Sequence, residues 1–218
     1  MEEQELLSYL ENFISPERIA RFSEILKNRT KFITVAMEDV FQLHNTSAVI
    51  RSCEVFGVQE AHVIEGRFGK RLDKNIAMGA QQWVDVHRYQ NTSDCIQALR
   101  NENYQIIATT PSEKVSSMNN FKVHRKTALF FGTEKEGLSD DVLKNADGFL
   151  KIPMFGFTES LNISVSAAIL LQDLNSKLKK TDLPWQLTAN EKLEIQLDWT
   201  KKSIKSIDDI LTRYYSER

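Results

Sequence analysis

Two cysteines, Cys53 and Cys95, are all that the 218 residues contain, and they lie in no paired spacing. That scarcity excludes a disulfide framework and a cysteine-built zinc site, and both thiols read as small buried apolar groups. The four histidines, His44, His62, His87 and His124, are scattered along the chain, so no metal is expected. Long hydrophobic runs are missing as well, since none approaches the length that a bilayer requires. The opening MEEQELLSYLEN is acidic where a secretory signal is basic, and a cytoplasmic location is expected. Positive charge is not in excess: 28 Lys and Arg face 30 Asp and Glu, a net charge of -2. A generic polyanion binder is thereby excluded, and any contact with nucleic acid must be local. Two short basic stretches qualify, Arg67, Lys70, Arg71 and Lys74 in RFGKRLDK, and Lys122, His124, Arg125 and Lys126. Internal repeats and low-complexity tracts are also lacking.

What is present is enough for one core of ordinary size, at 41% hydrophobic content, with appended helices. Ser15-Pro16 opens a helix, Ser as N-cap and Pro at the first helical position, with Ile19, Phe22, Ile25 and Leu26 on one stripe. FITVAM (32–37) has the composition of a buried parallel strand. A helix over about 46–56 stops at Gly57, and AHVI (61–64) resumes strand character, which makes one βαβ unit. The alternation continues with strands at 84–89, 104–109 and 127–131 and a helix begun by Thr92 or Ser93. Alternating strands and helices predict an α/β fold, a mainly parallel sheet covered by helices on both faces. Beyond it, a helix is expected over 159–174, and Thr188 with Glu191 forms a capping box for one long terminal helix.

Three motifs sit where expected strands hand over to loops or helices, the edge at which open α/β sheets bind ligands. They are NTSAVIR (45–51), FFGTEKEGL (130–138) and IPMFGFTESLNISVSAA (152–168). The second holds Gly132 and Gly137 in the spacing of a phosphate-binding P-loop, but Leu138 and Ser139 stand where Lys and Ser or Thr belong. Glu134 and Glu136 would repel a triphosphate there. No G-x-G-x-x-G follows an expected strand, so a dinucleotide fingerprint is absent too. The glycines by themselves also fit a plain strand-to-helix turn. In the first motif, Asn45 and Arg51 taken alone fit a helix cap and a surface ion-pair residue.

In their order and spacing the three motifs resemble the SpoU branch of the SPOUT methyltransferases, and among them the TrmH-type tRNA ribose 2'-O-methyltransferases. The resemblance spans roughly residues 15–175. It implies a trefoil knot in the C-terminal part of a methyltransferase domain (31–178), flanked by helical extensions (1–30 and 179–218). It implies S-adenosylmethionine held bent, largely by backbone groups at Thr109, Gly132, Ile152 and Leu161, with Ala108 and Leu138 nearby. It implies that Arg51 assists deprotonation of a ribose 2'-hydroxyl or stabilises the alkoxide, and that Asn45 positions it. Glu134, Ser160 and Asn162 match further polar residues of the pocket. A homodimer through the knot region is implied, with the arginine of one subunit approaching the cofactor of the other. Among relatives, ribosomal-RNA enzymes carry a separate N-terminal RNA-binding domain for which the stretch before FITVAM leaves no space, and minimal wobble-position enzymes lack the extensions. Guanosine 18 in the D-loop of tRNA is therefore the leading substrate, with Arg67, Lys70, Arg71 and Lys74 as expected phosphate contacts. The alternatives are another tRNA site, rRNA, or a non-catalytic knotted RNA-binding protein.

Overall fold

The computed structural model describes residues 2–40, 43–66, 79–111, 116–133 and 135–216. They divide into two compact units, Thr30–Trp185 and the pair of terminal segments Met1–Arg29 with Gln186–Arg218.

The larger unit is built on seven strands: β1 (Ile33–Glu38), β2 (Glu60–Ile64), β3 (Asp85–Tyr89), β4 (Gln105–Thr109), β5 (Ser116–Ser117), β6 (Thr127–Phe131) and β7 (Gly148–Lys151). Every pairing among them is parallel, in the order β3-β2-β1-β6-β4-β7-β5. The period of two in strand side chains divides the core into two layers. From β1, Ile33, Val35 and Met37 point to one layer and Ala36 to the other; from β6, Leu129 and Phe131 share the first and Ala128 and Phe130 the second. The first layer is closed by α3 (Leu43–Phe56) and α6 (Ile163–Leu178), which pack on each other. The second is closed by α4 (Thr92–Asn101) and α5 (Asp140–Asn145). The all-parallel α/β sheet covered on both faces agrees with the reading of the sequence.

The smaller unit holds α1 (Glu2–Glu11), α2 (Pro16–Leu26), α7 (Ala189–Ser203) and α8 (Ile207–Ser216). Leu6, Leu7 and Leu10 meet Leu197 and Tyr214 in its core, and the Phe22 ring stands edge-on to Trp199. Ser15 caps α2 as expected, and the Thr188–Glu191 capping box of α7 is complete in both directions.

Three boundaries differ from the expected ones. The terminal helix is two helices, because Ile204 is extended (φ -102°, ψ 124°) and turns the chain between them. Helix α6 starts at Ile163 rather than at residue 159, because Asn162 is its N-cap and accepts from the Ser164 N–H. Helix α3 starts at Leu43, which puts Asn45 inside its first turn.

Candidate active site

Strands β1, β4, β6 and β7 all run the same way, so Glu38, Thr109, Phe131 and Lys151 end at one edge of the sheet. There the segments after β4, β6 and β7 surround a cavity of about 300 Å³. Thr109, Thr110 and Pro111 come from the first, Gly132, Thr133, Lys135, Glu136 and Gly137 from the second, and Ile152, Met154, Ser160 and Leu161 from the third. Phe131, Leu150, Ile163 and Leu170 add apolar wall. A mostly apolar concavity with a few convergent hydroxyls suits a neutral heterocycle whose edge is read by backbone groups.

The walls of this cavity are held by backbone pairing. Thr109 Oγ1 donates to the Phe130 carbonyl (2.7 Å), and the Thr110 N–H donates to the Leu150 carbonyl (3.0 Å), tying the ends of β4, β6 and β7 together. After β6, Thr133 and Gly137 exchange two backbone hydrogen bonds of 3.0 Å each. Gly137 takes a left-handed conformation (φ 72°), open to glycine at no steric cost. The turn folds so tightly on Gly132 that a Cβ there would lie 2.1 Å from the Gly137 carbonyl oxygen. Ser139 then caps α5, its hydroxyl accepting from the Val142 N–H.

Glu38, which the reading of the sequence passed over, fixes this turn from below. Its buried carboxylate accepts from the Ser139 N–H (2.8 Å), the Ser139 hydroxyl (2.6 Å) and the Thr92 hydroxyl. Three donors satisfy the charge that burial would otherwise make costly. The available signal was an acidic residue closing an apolar strand at the ligand-binding edge. Nearby, burial pushes the Cys95 thiol up to about 12, with the charge of Glu38 adding to it. Cys95 is therefore a protonated, inert core group, as is appropriate for a thiol in apolar surroundings.

Asn45 is 2% exposed and accepts a hydrogen bond of 3.0 Å from the Asn162 amide. The first turns of α3 and α6 are thus joined at the cavity, through residues 117 apart in sequence. Asn162 Oδ1 also accepts from the Ser164 hydroxyl at 2.6 Å. Of the residues singled out for the cofactor, Thr109, Gly132, Ile152 and Leu161 line the cavity, as does Ser160. Ala108 is fully buried in the second core layer, and Leu138 packs against the same layer. Arg51 lies on the exposed side of α3 and does not line the cavity of its own chain. Glu134, Arg67, Lys70, Arg71 and Lys74 lie outside the described residues.

The second basic stretch is at the opposite edge of the sheet, before β6. There Arg125 hydrogen-bonds Gln105 and lies 3.8 Å from Asp147, while Lys126 lies over the Tyr104 ring. These cations serve the fold. His62 stacks with His87 at 5.0 Å, and burial first, then the charge of His87, lowers its pKa to about 3. Among the described residues no cluster of metal ligands forms, and no helix is long and apolar enough to cross a membrane.

Comparison with known proteins gives the same picture. The sequence profile of the SpoU rRNA Methylase family matches residues 32–172. A tRNA (guanosine(18)-2'-O)-methyltransferase of Borreliella burgdorferi is 38% identical over 200 residues, covering 92% of this chain and 92% of that protein. Among solved structures, the A. aeolicus TrmH/SpoU tRNA modifying enzyme superposes with a TM-score of 0.76 at 28% identity, over 86% of this chain and 97% of that one. The SpoU methyltransferase AviRb from Streptomyces viridochromogenes, in complex with AdoMet, shares the fold with a TM-score of 0.63 at 19% identity, over 72% of this chain and 65% of that one.

Proposed function

Because the chain belongs to the SpoU methylase family, we propose that it transfers the methyl group of S-adenosylmethionine to the ribose 2'-hydroxyl of guanosine 18 in tRNA. The observation that carries the reading is the cavity at the sheet edge, joined through the Asn162–Asn45 hydrogen bond to the helix that bears Arg51. S-adenosylmethionine supplies a methyl group already activated on a sulfonium, so the protein has chiefly to align it with the hydroxyl. Apolar walls such as Ile152 and Leu161 sandwich the adenine, and the strand-end backbone reads its edge.

Arg51 is the group that meets the RNA. A guanidinium keeps its proton far above neutral pH, so its part is to orient the nucleotide and stabilise the alkoxide as the hydroxyl loses its proton. Asn45, buried and bonded to Asn162, positions Arg51 and through it the substrate backbone, and Ser160, Asn162 and Glu134 furnish further polar contacts. Because Arg51 is exposed and does not line the cavity of its own chain, it acts on the cofactor of a second copy, and the working unit is a homodimer. Exposed apolar groups on α3 and α6, Val55 at 63% and Val165 at 44%, favour that pairing. The cavity-lining segment after β7 is assigned to the trefoil knot. The basic stretch from Arg67 to Lys74 and the terminal helices take the tRNA backbone. The reaction belongs to the cytoplasm, where tRNA is.

The test is transfer of labelled methyl from S-adenosylmethionine to an unmodified tRNA transcript, followed by mapping of the methylated ribose. Label at guanosine 18 is expected. Label confined to another tRNA position or to rRNA would replace the substrate, and no label into any RNA would overturn the enzymatic reading.

A further inference from the structure

We propose that Lys135 binds the carboxylate of the methionine end of S-adenosylmethionine and that Glu136 faces its ammonium, so that this tandem selects the intact cofactor. The proposal rests on the cofactor assignment above and adds residues that nothing in that assignment requires.

Among the described residues, charge at the cavity is confined to one place. Among the described lining residues, Lys135 and Glu136 are the only charged ones, and they are adjacent in sequence. Both are exposed, so they stand at the rim while the apolar walls lie deeper. Their backbone is not loose. Thr133 and Gly137 bracket them with the paired 3.0 Å hydrogen bonds, and the Glu136 N–H donates to Thr133 Oγ1 at 2.9 Å. A closed turn therefore presents two opposite charges in a fixed order at the mouth of a pocket whose other described lining residues are uncharged. Lys135 makes no ion pair with any other described residue, so its ammonium is not committed to the fold.

The chemistry of the cofactor has a matching asymmetry. Adenine and ribose are neutral and the sulfonium is a cation, which a lysine would repel. The amino-acid end alone carries an anion and a cation side by side. A lysine at the rim can gain only from the carboxylate, and a carboxylate next to it in sequence can gain from the ammonium. At an exposed site the gain is modest, which makes this pair a selector among related molecules more than the main source of affinity.

Calorimetric titration with two probes isolates the claim. S-adenosylhomocysteine keeps the amino-acid end, and 5'-methylthioadenosine lacks it. In the full-length protein, Lys135→Met is expected to weaken S-adenosylhomocysteine roughly 3- to 10-fold and leave 5'-methylthioadenosine unchanged, with Lys135→Arg restoring most of the loss. Equal weakening of both probes, or of neither, would overturn the proposal. So would a rise in the apparent KM for tRNA at unchanged S-adenosylhomocysteine affinity, which would assign Lys135 to an RNA phosphate. Failure of the wild-type protein to bind S-adenosylhomocysteine would instead remove the cofactor assignment, and this proposal with it.

Discussion

Gly132 has backbone on every side where a side chain would stand: a Cβ would meet the Gly137 carbonyl oxygen at 2.1 Å, its carbon at 2.2 Å and the Leu138 nitrogen at 2.4 Å. None of these is the far end of a flexible side chain, so the turn after β6 must shift to admit even a methyl. Gly132→Ala is expected to lower stability by roughly 1–3 kcal/mol, the usual range for an overpacked site. It should also weaken S-adenosylhomocysteine binding at least tenfold, because that turn forms one wall of the cavity. Thermal unfolding with and without the ligand measures both effects, and an alanine variant with wild-type ligand affinity would contradict the account. Glu38 acts beneath the same turn, and this is where residue-level reading fell short. The sequence displays an acidic residue at the end of an apolar strand, but not the Ser139 and Thr92 donors that converge on it from 101 and 54 residues away.

At the scale of elements, the joint between α3 and α6 matters most, because Asn162 both caps one helix and donates to Asn45 in the other. Asn162→Ala should cost about 1 kcal/mol through the lost cap, before the Asn45 contact is counted. A double-mutant cycle with Asn45→Ala should then give a coupling of about 0.5–3 kcal/mol, the range for residues in contact. Strict additivity in denaturant unfolding would mean that the two helices are not tied at this point. The elements themselves were largely legible. The apolar runs at β1, β2, β4 and β6 and the caps at Ser15 and Thr188 declare themselves through local composition and spacing, which is what local physics fixes. Three features were not. The start of α6 lies four residues after the expected one, because Thr158, Ser160 and Asn162 are all residue types that cap helices and only the structure selects Asn162. The break at Ile204 carries neither glycine nor proline, so nothing in the sequence interrupts the helical spacing of Ile204, Ile207, Leu211 and Tyr214. Strand β5 is two residues long, below the length at which any periodicity can register.

At the scale of the whole molecule, the account calls for a dimer, because Arg51 is exposed on α3 and does not line the cavity of its own chain. Light scattering should give twice the mass of the 218-residue chain. Val165→Glu, which puts a charge on the exposed apolar side of α6, should shift the protein toward the monomer and abolish transfer. A fully active monomer would contradict the shared site. Periodicity and spacing within one chain carry no sign of a second copy, so the expected dimer rests on the family resemblance. The most direct test of the central claim compares two tRNA transcripts that differ in one oxygen, one of them carrying 2'-deoxyguanosine at position 18. With labelled S-adenosylmethionine the account predicts incorporation into the unmodified transcript and none into the deoxy one, whereas equal labelling of both, or of neither, would contradict it.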